Sequence, residues 1–183
     1  MVNSLANKLT VSRIAVIPVI LLLLYIQEEW AAWVALVLFV VAGITDMLDG
    51  YLARRDGQVS KLGTFLDPIA DKLLVAAVIL LLVYNKHITG AAIIPAVIIL
   101  LREVAVSGLR EFLAEVRVSM PVSQLAKWKT FIQIVAISFL IPGDYAPAWH
   151  ATLIGDLGLW IAGIITVVTA WDYWRASQKH FDS

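Results

Sequence analysis

Asp46-Met47-Leu48-Asp49-Gly50-Tyr51-Leu52-Ala53-Arg54-Arg55-Asp56-Gly57-Gln58-Val59-Ser60-Lys61-Leu62-Gly63-Thr64-Phe65-Leu66-Asp67-Pro68-Ile69-Ala70-Asp71 places the four carboxylates of Asp46, Asp49, Asp67 and Asp71 where two otherwise apolar segments meet. Asp46 and Asp49 are three apart, and Asp67 and Asp71 are four apart, so each pair shares one face of a helix. Gly50 and Ala53 continue the first face with little bulk, and Gly63 lies one turn before Asp67 on the second. The pattern predicts two closely packed helices that direct Asp46, Asp49, Asp67 and Asp71 into one space. Four carboxylates so close repel one another, and a cation relieves the repulsion. Hard divalent ions such as Mg²⁺ or Mn²⁺ prefer oxygen ligands and also hold phosphate groups.

Working outward, the whole chain is apolar. Its 183 residues are 61% hydrophobic and only 15% charged, the composition of an integral membrane protein. The length suits one domain spanning residues 1–183. Net charge is zero, which gives no signal for nucleic acid as a partner. The absence of cysteine excludes disulfides, thiolate metal sites and thiol nucleophiles. Lys8 and Arg13 precede the first apolar run, but no small-residue cleavage site follows it, so a retained first span is expected. Six hydrophobic segments follow in order: Leu5–Ile26, Trp30–Arg55, Lys61–Tyr84, Ile88–Leu113, Ser123–Ile141 and Ala151–Trp174. Pro18 marks an expected kink in the first.

Charge placement orients these segments. With six spans, nearly all Lys and Arg residues fall on the side of the termini, and only Lys86 falls opposite. The positive-inside rule puts both termini, and the acidic stretch, on the cytoplasmic face of the cell membrane. Trp30, Trp33 and Trp149 mark the outer interface, and Trp128, Trp171 and Trp174 are candidates for the inner one. A span needs about 20 apolar residues. The uninterrupted runs here are shorter, and each is completed by a charged turn at the cytoplasmic end. Asp46 lies roughly 14 Å inside its helix end at 1.5 Å per residue. Ionisable groups at that depth face a wet cavity. The expected architecture is therefore all-α, with six transmembrane helices around a polar cavity open to the cytoplasmic leaflet. That cavity would hold the four acids with Arg102, Arg110 and Lys127, a set suited to a phosphate-bearing lipid substrate.

The series Asp46-x2-Asp49-Gly50-x2-Ala53-Arg54-x8-Gly63-x3-Asp67-x3-Asp71 resembles the complete motif of the CDP-alcohol phosphotransferases. The likeness extends to the six-helix layout and nearly the whole chain. Within that family, the stretches Asn7–Arg13, Arg102–Val104, Gly108–Glu111 and Lys127–Thr130 resemble members that use glycerol 3-phosphate as acceptor. The resemblance implies transfer of a phosphatidyl group from CDP-diacylglycerol, giving phosphatidylglycerol phosphate and CMP. It implies two divalent ions, Mg²⁺ or Mn²⁺, on the four aspartates, and Asp71 as general base toward the 1-hydroxyl. CDP-diacylglycerol would lie against Asp49, Gly50, Ala53, Arg54 and Gly63, with Asn7 and Thr10 as further contacts. Arg102, Arg110 and Lys127 would bind the acceptor phosphate. The resemblance also implies a homodimer.

Simpler roles exist for several of these residues. The acids could form an ion-pair network with Lys72, Arg54 and Arg55, although buried charge pairs are a poor route to stability. Arg54 and Arg55 suit the inner end of a helix, and Arg102 and Arg110 could snorkel to the interface. Lys129 and Arg117 are expected to be solvated, Glu103 and Glu111 to pair with nearby cations, and His87, His150 and His180 to be incidental. Asn7, Thr10 and Arg13 could instead cap the first helix. Other readings are the same chemistry on serine, inositol or inositol phosphate, or phosphatidylglycerol, a membrane prenyltransferase, and a divalent-metal transporter. The close spacing of both acid pairs disfavours the prenyltransferase, and the nearly charge-free outer half disfavours a through-pathway.

Overall fold

The computed structural model describes residues 5–56, 61–115, 118, 123–147 and 150–178, with side chains described except at 5–10, 46–56, 61–65, 67–68, 114–115 and 176. Among the described residues there are six α-helices and no strand: α1 Leu5–Ile26, α2 Glu29–Asp56, α3 Lys61–Tyr84, α4 Ile93–Glu115, α5 Gln124–Leu140 and α6 Ala151–Gln178. The apolar segments of the sequence thus become helices. The bounds of the first and third are those expected, and α1 runs through Pro18 without a break.

The helix ends follow local chemistry. Ser123 stands in extended conformation before α5, and its hydroxyl accepts the Ala126 amide at 3.2 Å. The fourth helix starts later than Ile88. Gly90 has φ +55°, in the left-handed region, and residues Gly90–Ala92 form one 3₁₀ turn before α4 begins. Pro95 then sits in the first turn of α4, where its missing N–H costs nothing.

Polar contacts show how the helices run. Gln27 Nε2 donates to Asn85 Oδ1 at 2.8 Å, Asn85 Nδ2 donates to the Leu24 carbonyl at 2.8 Å, and Tyr145 Oη donates to the Gln27 carbonyl at 2.6 Å. His87 Nδ1 bonds the Leu140 carbonyl at 3.0 Å. The C-terminal ends of α1, α3 and α5 are therefore clasped together at one end of the bundle. His87, expected to be incidental, pins that end: a Cβ on Gly143 (φ +49°) would come within 2.6 Å of its ring.

The bundle is divided along its length. The clasped half is apolar, with Ile20, Leu24, Phe39, Ile79, Leu82, Ile88, Ile137 and Leu140 in its core. From the middle toward the other end lie the buried polar side chains Arg13, Lys129, Gln133, Thr166, Thr169 and Ser177. That second end is the one toward which α2 and α3 carry their aspartates. Helix α1 packs on both α2 and α3. The close approach expected at Gly50, Ala53 and Gly63 lies outside the described side chains.

Elsewhere small residues do set helix contacts. Helix α6 packs on α5 and α4. A Cβ on Gly158 would lie 2.7 Å from Ala136 Cβ and 3.3 Å from its Cα, and one on Gly163 would lie 2.9 Å from Pro95 Cβ. Among helices in lipid, such close packing replaces the hydrophobic drive. Gly158→Ala is expected to destabilise the protein by about 1–3 kcal/mol. Gly108→Ala, whose Cβ meets nothing within 4 Å, is expected to be neutral or to stabilise by up to about 1 kcal/mol. Thermal unfolding of both variants in detergent checks the contrast.

Among the described residues, Gly90–Leu113 and Ala151–Arg175 are long and apolar enough to cross a membrane, and Val11–Ile26 and Glu29–Thr45 are shorter apolar stretches.

Candidate active site

The motif aspartates are carried by two helices. Asp46 and Asp49 lie in α2, and Asp67 and Asp71 lie in α3, so the helical spacing that gives each pair one face holds. The side chains of Asp46, Asp49, Gly50, Ala53, Arg54, Gly63 and Asp67, and of Asn7 and Thr10 in α1, are outside the described set. Among the described residues no three His, Asp or Glu side chains gather as a metal site. Asp71 is described and half-buried, and it has a polar or charged partner. Its neighbour Lys72 reaches across to α4, where Nζ donates to Ser107 Oγ at 2.5 Å. Arg13 is buried within α1, eight residues beyond the helix start at Leu5, so it does not cap that helix.

Three charged side chains gather between α4 and α5. Arg102 lies in the middle of α4 with 11% of its side chain exposed. Its Nη1 donates to Glu103 Oε1 at 3.4 Å. Its Nη2 donates to Thr169 Oγ1 on α6 at 3.2 Å, and its Cζ lies 5.8 Å from the centroid of the buried Tyr173 ring. That distance is within cation–π range. The Thr169 hydroxyl gives its own proton to the carbonyl of Ile165 or Thr166, at 2.9 and 3.1 Å, which leaves its oxygen to accept from Arg102. The same Glu103 Oε1 accepts from Lys129 Nζ on α5. Lys129 is 3% exposed and within electrostatic reach of Glu103, Arg102 and Asp71. Arg102 Nε is buried with no hydrogen-bond partner.

The burial of Lys129 corrects the expectation that it is solvated, and Glu103 pairs as expected. Lys127 is the exposed lysine of α5. They are two positions apart, about 200° around a helix, so one faces in when the other faces out. The signal was in the sequence: Ala126, Lys129, Gln133, Ala136, Ile137 and Leu140 make one buried helical stripe. Arg110 is exposed as well. It lies eight residues from Arg102, about 80° past two full turns, and the structure does not bring it to Arg102. A groove of about 750 Å³ runs between α4 and α6 beside this cluster, lined by Arg102 and Thr166 among apolar side chains that include Leu109, Phe112, Trp171 and Trp174. The Thr166 hydroxyl is buried there without a partner.

The geometry brings Arg102 and Lys129 onto one carboxylate oxygen of Glu103 and leaves Lys129 within electrostatic reach of Asp71 on α3. Residues 3–171 match the sequence profile of the CDP-alcohol phosphatidyltransferases. The chain belongs to that family. It is 48% identical over 180 residues to the CDP-diacylglycerol–glycerol-3-phosphate 3-phosphatidyltransferase of Rickettsia bellii, with 98% of each chain covered. The proteins of that name from Cereibacter sphaeroides and Bacillus subtilis are 39% and 36% identical, with 97% and 96% of this chain covered and 96% of each relative.

Proposed function

We propose that the protein transfers a phosphatidyl group from CDP-diacylglycerol to glycerol 3-phosphate, giving phosphatidylglycerol phosphate and CMP. The observation that carries this reading is the end-to-end match to relatives named for that reaction. The Arg102–Glu103–Lys129 cluster, whose buried Lys129 is within electrostatic reach of Asp71, supports a phosphorylated acceptor, since a neutral or zwitterionic alcohol does not call for such a charge.

In this reading the chain is one membrane domain, residues 1–183. Its six helices span the cell membrane, with both termini and the polar half of the bundle facing the cytoplasm. The buried polar groups in one half and the apolar core in the other support that arrangement. The donor set of four aspartates on two adjoining helices suits hard divalent ions. Two such ions, Mg²⁺ or Mn²⁺, held by Asp46, Asp49, Asp67 and Asp71, would neutralise the pyrophosphate and stabilise the departing CMP. Gly50 and Ala53 leave room for the nucleotide because a larger side chain would fill that space. Arg54, Gly63, Asn7 and Thr10 are the further residues assigned to CDP-diacylglycerol in this reading. Asp71 takes the proton from the 1-hydroxyl of glycerol 3-phosphate as that oxygen attacks the phosphorus bearing diacylglycerol. Arg102 binds the acceptor phosphate, with Arg110 and Lys127 lending positive charge nearer the surface. The groove between α4 and α6 gives an acyl chain an apolar bed beside the cluster. The working unit is a homodimer in the membrane.

CMP release from CDP-diacylglycerol by the purified protein tests this directly. Release that needs glycerol 3-phosphate and stops on chelation of divalent metal is the expected result. Release with serine or inositol phosphate in its place would keep the chemistry and replace the acceptor. Metal flux without CMP release would turn the reading toward transport.

A further inference from the structure

We infer that Lys129 is a second buried cation of the acceptor site and that Glu103 is the positioning residue that holds it beside Arg102; this rests on the phosphatidyl-transfer reading above. One carboxylate oxygen, Glu103 Oε1, accepts from Arg102 Nη1 and from Lys129 Nζ. The bridge runs from α4 to α5, two helices that each pack on α6. Stability does not account for such a pair, because replacing both members of a buried ion pair by apolar residues is commonly neutral or stabilising.

The charges do not balance among the three residues. Arg102 and Lys129 bring two positive charges and Glu103 one negative, a surplus of one. The guanidinium is fixed by Glu103, by Thr169 and by the face of Tyr173, while its Nε–H is buried and unpaired. Two cations that share one carboxylate oxygen, and an orphaned buried donor, both suit an anion. Asp71, the proposed base, lies within electrostatic reach of the same lysine. An acceptor that presents a phosphate to this cluster can therefore present its hydroxyl toward Asp71. The cluster would select phosphorylated alcohols over neutral ones. Without Glu103, the two cations repel and Arg102 loses one of its anchors.

Steady-state kinetics with CDP-diacylglycerol and glycerol 3-phosphate test this on three proteins: wild type, Lys129→Gln, and Glu103→Leu/Lys129→Met. Lys129→Gln keeps a hydrogen bond to Glu103 and removes the charge. It is expected to raise the KM for glycerol 3-phosphate by about ten- to a hundredfold and to leave the KM for CDP-diacylglycerol within about twofold. The double variant is expected to regain the thermal midpoint of the wild type but not its KM for glycerol 3-phosphate. A double variant with wild-type KM, or an unchanged KM in Lys129→Gln, would show a merely structural pair and overturn the inference alone. Wild-type protein that turns over only with unphosphorylated alcohols would overturn the acceptor reading and this inference together.

Discussion

Asp71→Asn is expected to lower turnover by about 10²–10⁴-fold, the usual contribution of a positioned general base, with the protein still folded. Asparagine matches aspartate in shape but cannot take up the hydroxyl proton. Asp71 sits in the middle of α3, half-buried. A carboxylate there lies within electrostatic reach of Lys129, whose ammonium also bonds Glu103. The loss should fall on kcat and leave the KM for glycerol 3-phosphate near wild type, because Asp71 acts on the hydroxyl and not on the phosphate. It should also persist at raised Mg²⁺ or Mn²⁺. Recovery of turnover at high metal would make Asp71 a ligand only, and turnover within about tenfold of wild type would remove it from the role of base.

Much of this arrangement can be read from the chain, because the helices are long and uniformly apolar. The ends of α1 and α3 coincide with the ends of their apolar runs. The start of α4 does not, since Ile88 and Thr89 are as apolar or neutral as helix residues yet precede the left-handed Gly90. The motif aspartates announce themselves by spacing alone. The cationic side of the site is harder to read. Lys127 and Lys129 are equivalent in composition, and only the phase of the α5 stripe tells which one faces inward. Arg102 and Arg110 look like a pair two turns apart, but the remainder of a turn separates them. Thr169 and Tyr173 come from α6, far along the chain, and nothing local in the sequence ties them to Arg102. Local pattern thus gives each helix and its polar face. Which faces meet is decided by packing between helices.

Arg102→Met is expected to lower kcat/KM for glycerol 3-phosphate by about 30- to 5,000-fold, the effect of removing one partner of a largely desolvated hydrogen-bonded charge cluster, about 2–5 kcal/mol. Methionine fills similar space along the stem, so the change is chiefly one of charge and donors. The surplus positive charge of the cluster then falls to zero, with Lys129 matched by Glu103 alone. Thr169 loses its donor and Tyr173 its cation. Arg102→Lys should recover little, because an ammonium cannot reproduce a planar fork that meets Glu103 and Thr169 at once and still offers Nε. The KM for CDP-diacylglycerol should stay within about threefold of wild type in both variants. Adding Glu103→Gln to Arg102→Met restores the surplus through Lys129 without restoring the fork. Recovery of the KM for glycerol 3-phosphate in that double variant would mean that the site reads net charge. Continued impairment is the expected result, because Lys129 would then lack the carboxylate that holds it and the phosphate would lack the donor geometry of the guanidinium. A KM for glycerol 3-phosphate within about threefold of wild type in Arg102→Met itself would move the acceptor phosphate away from this cluster altogether.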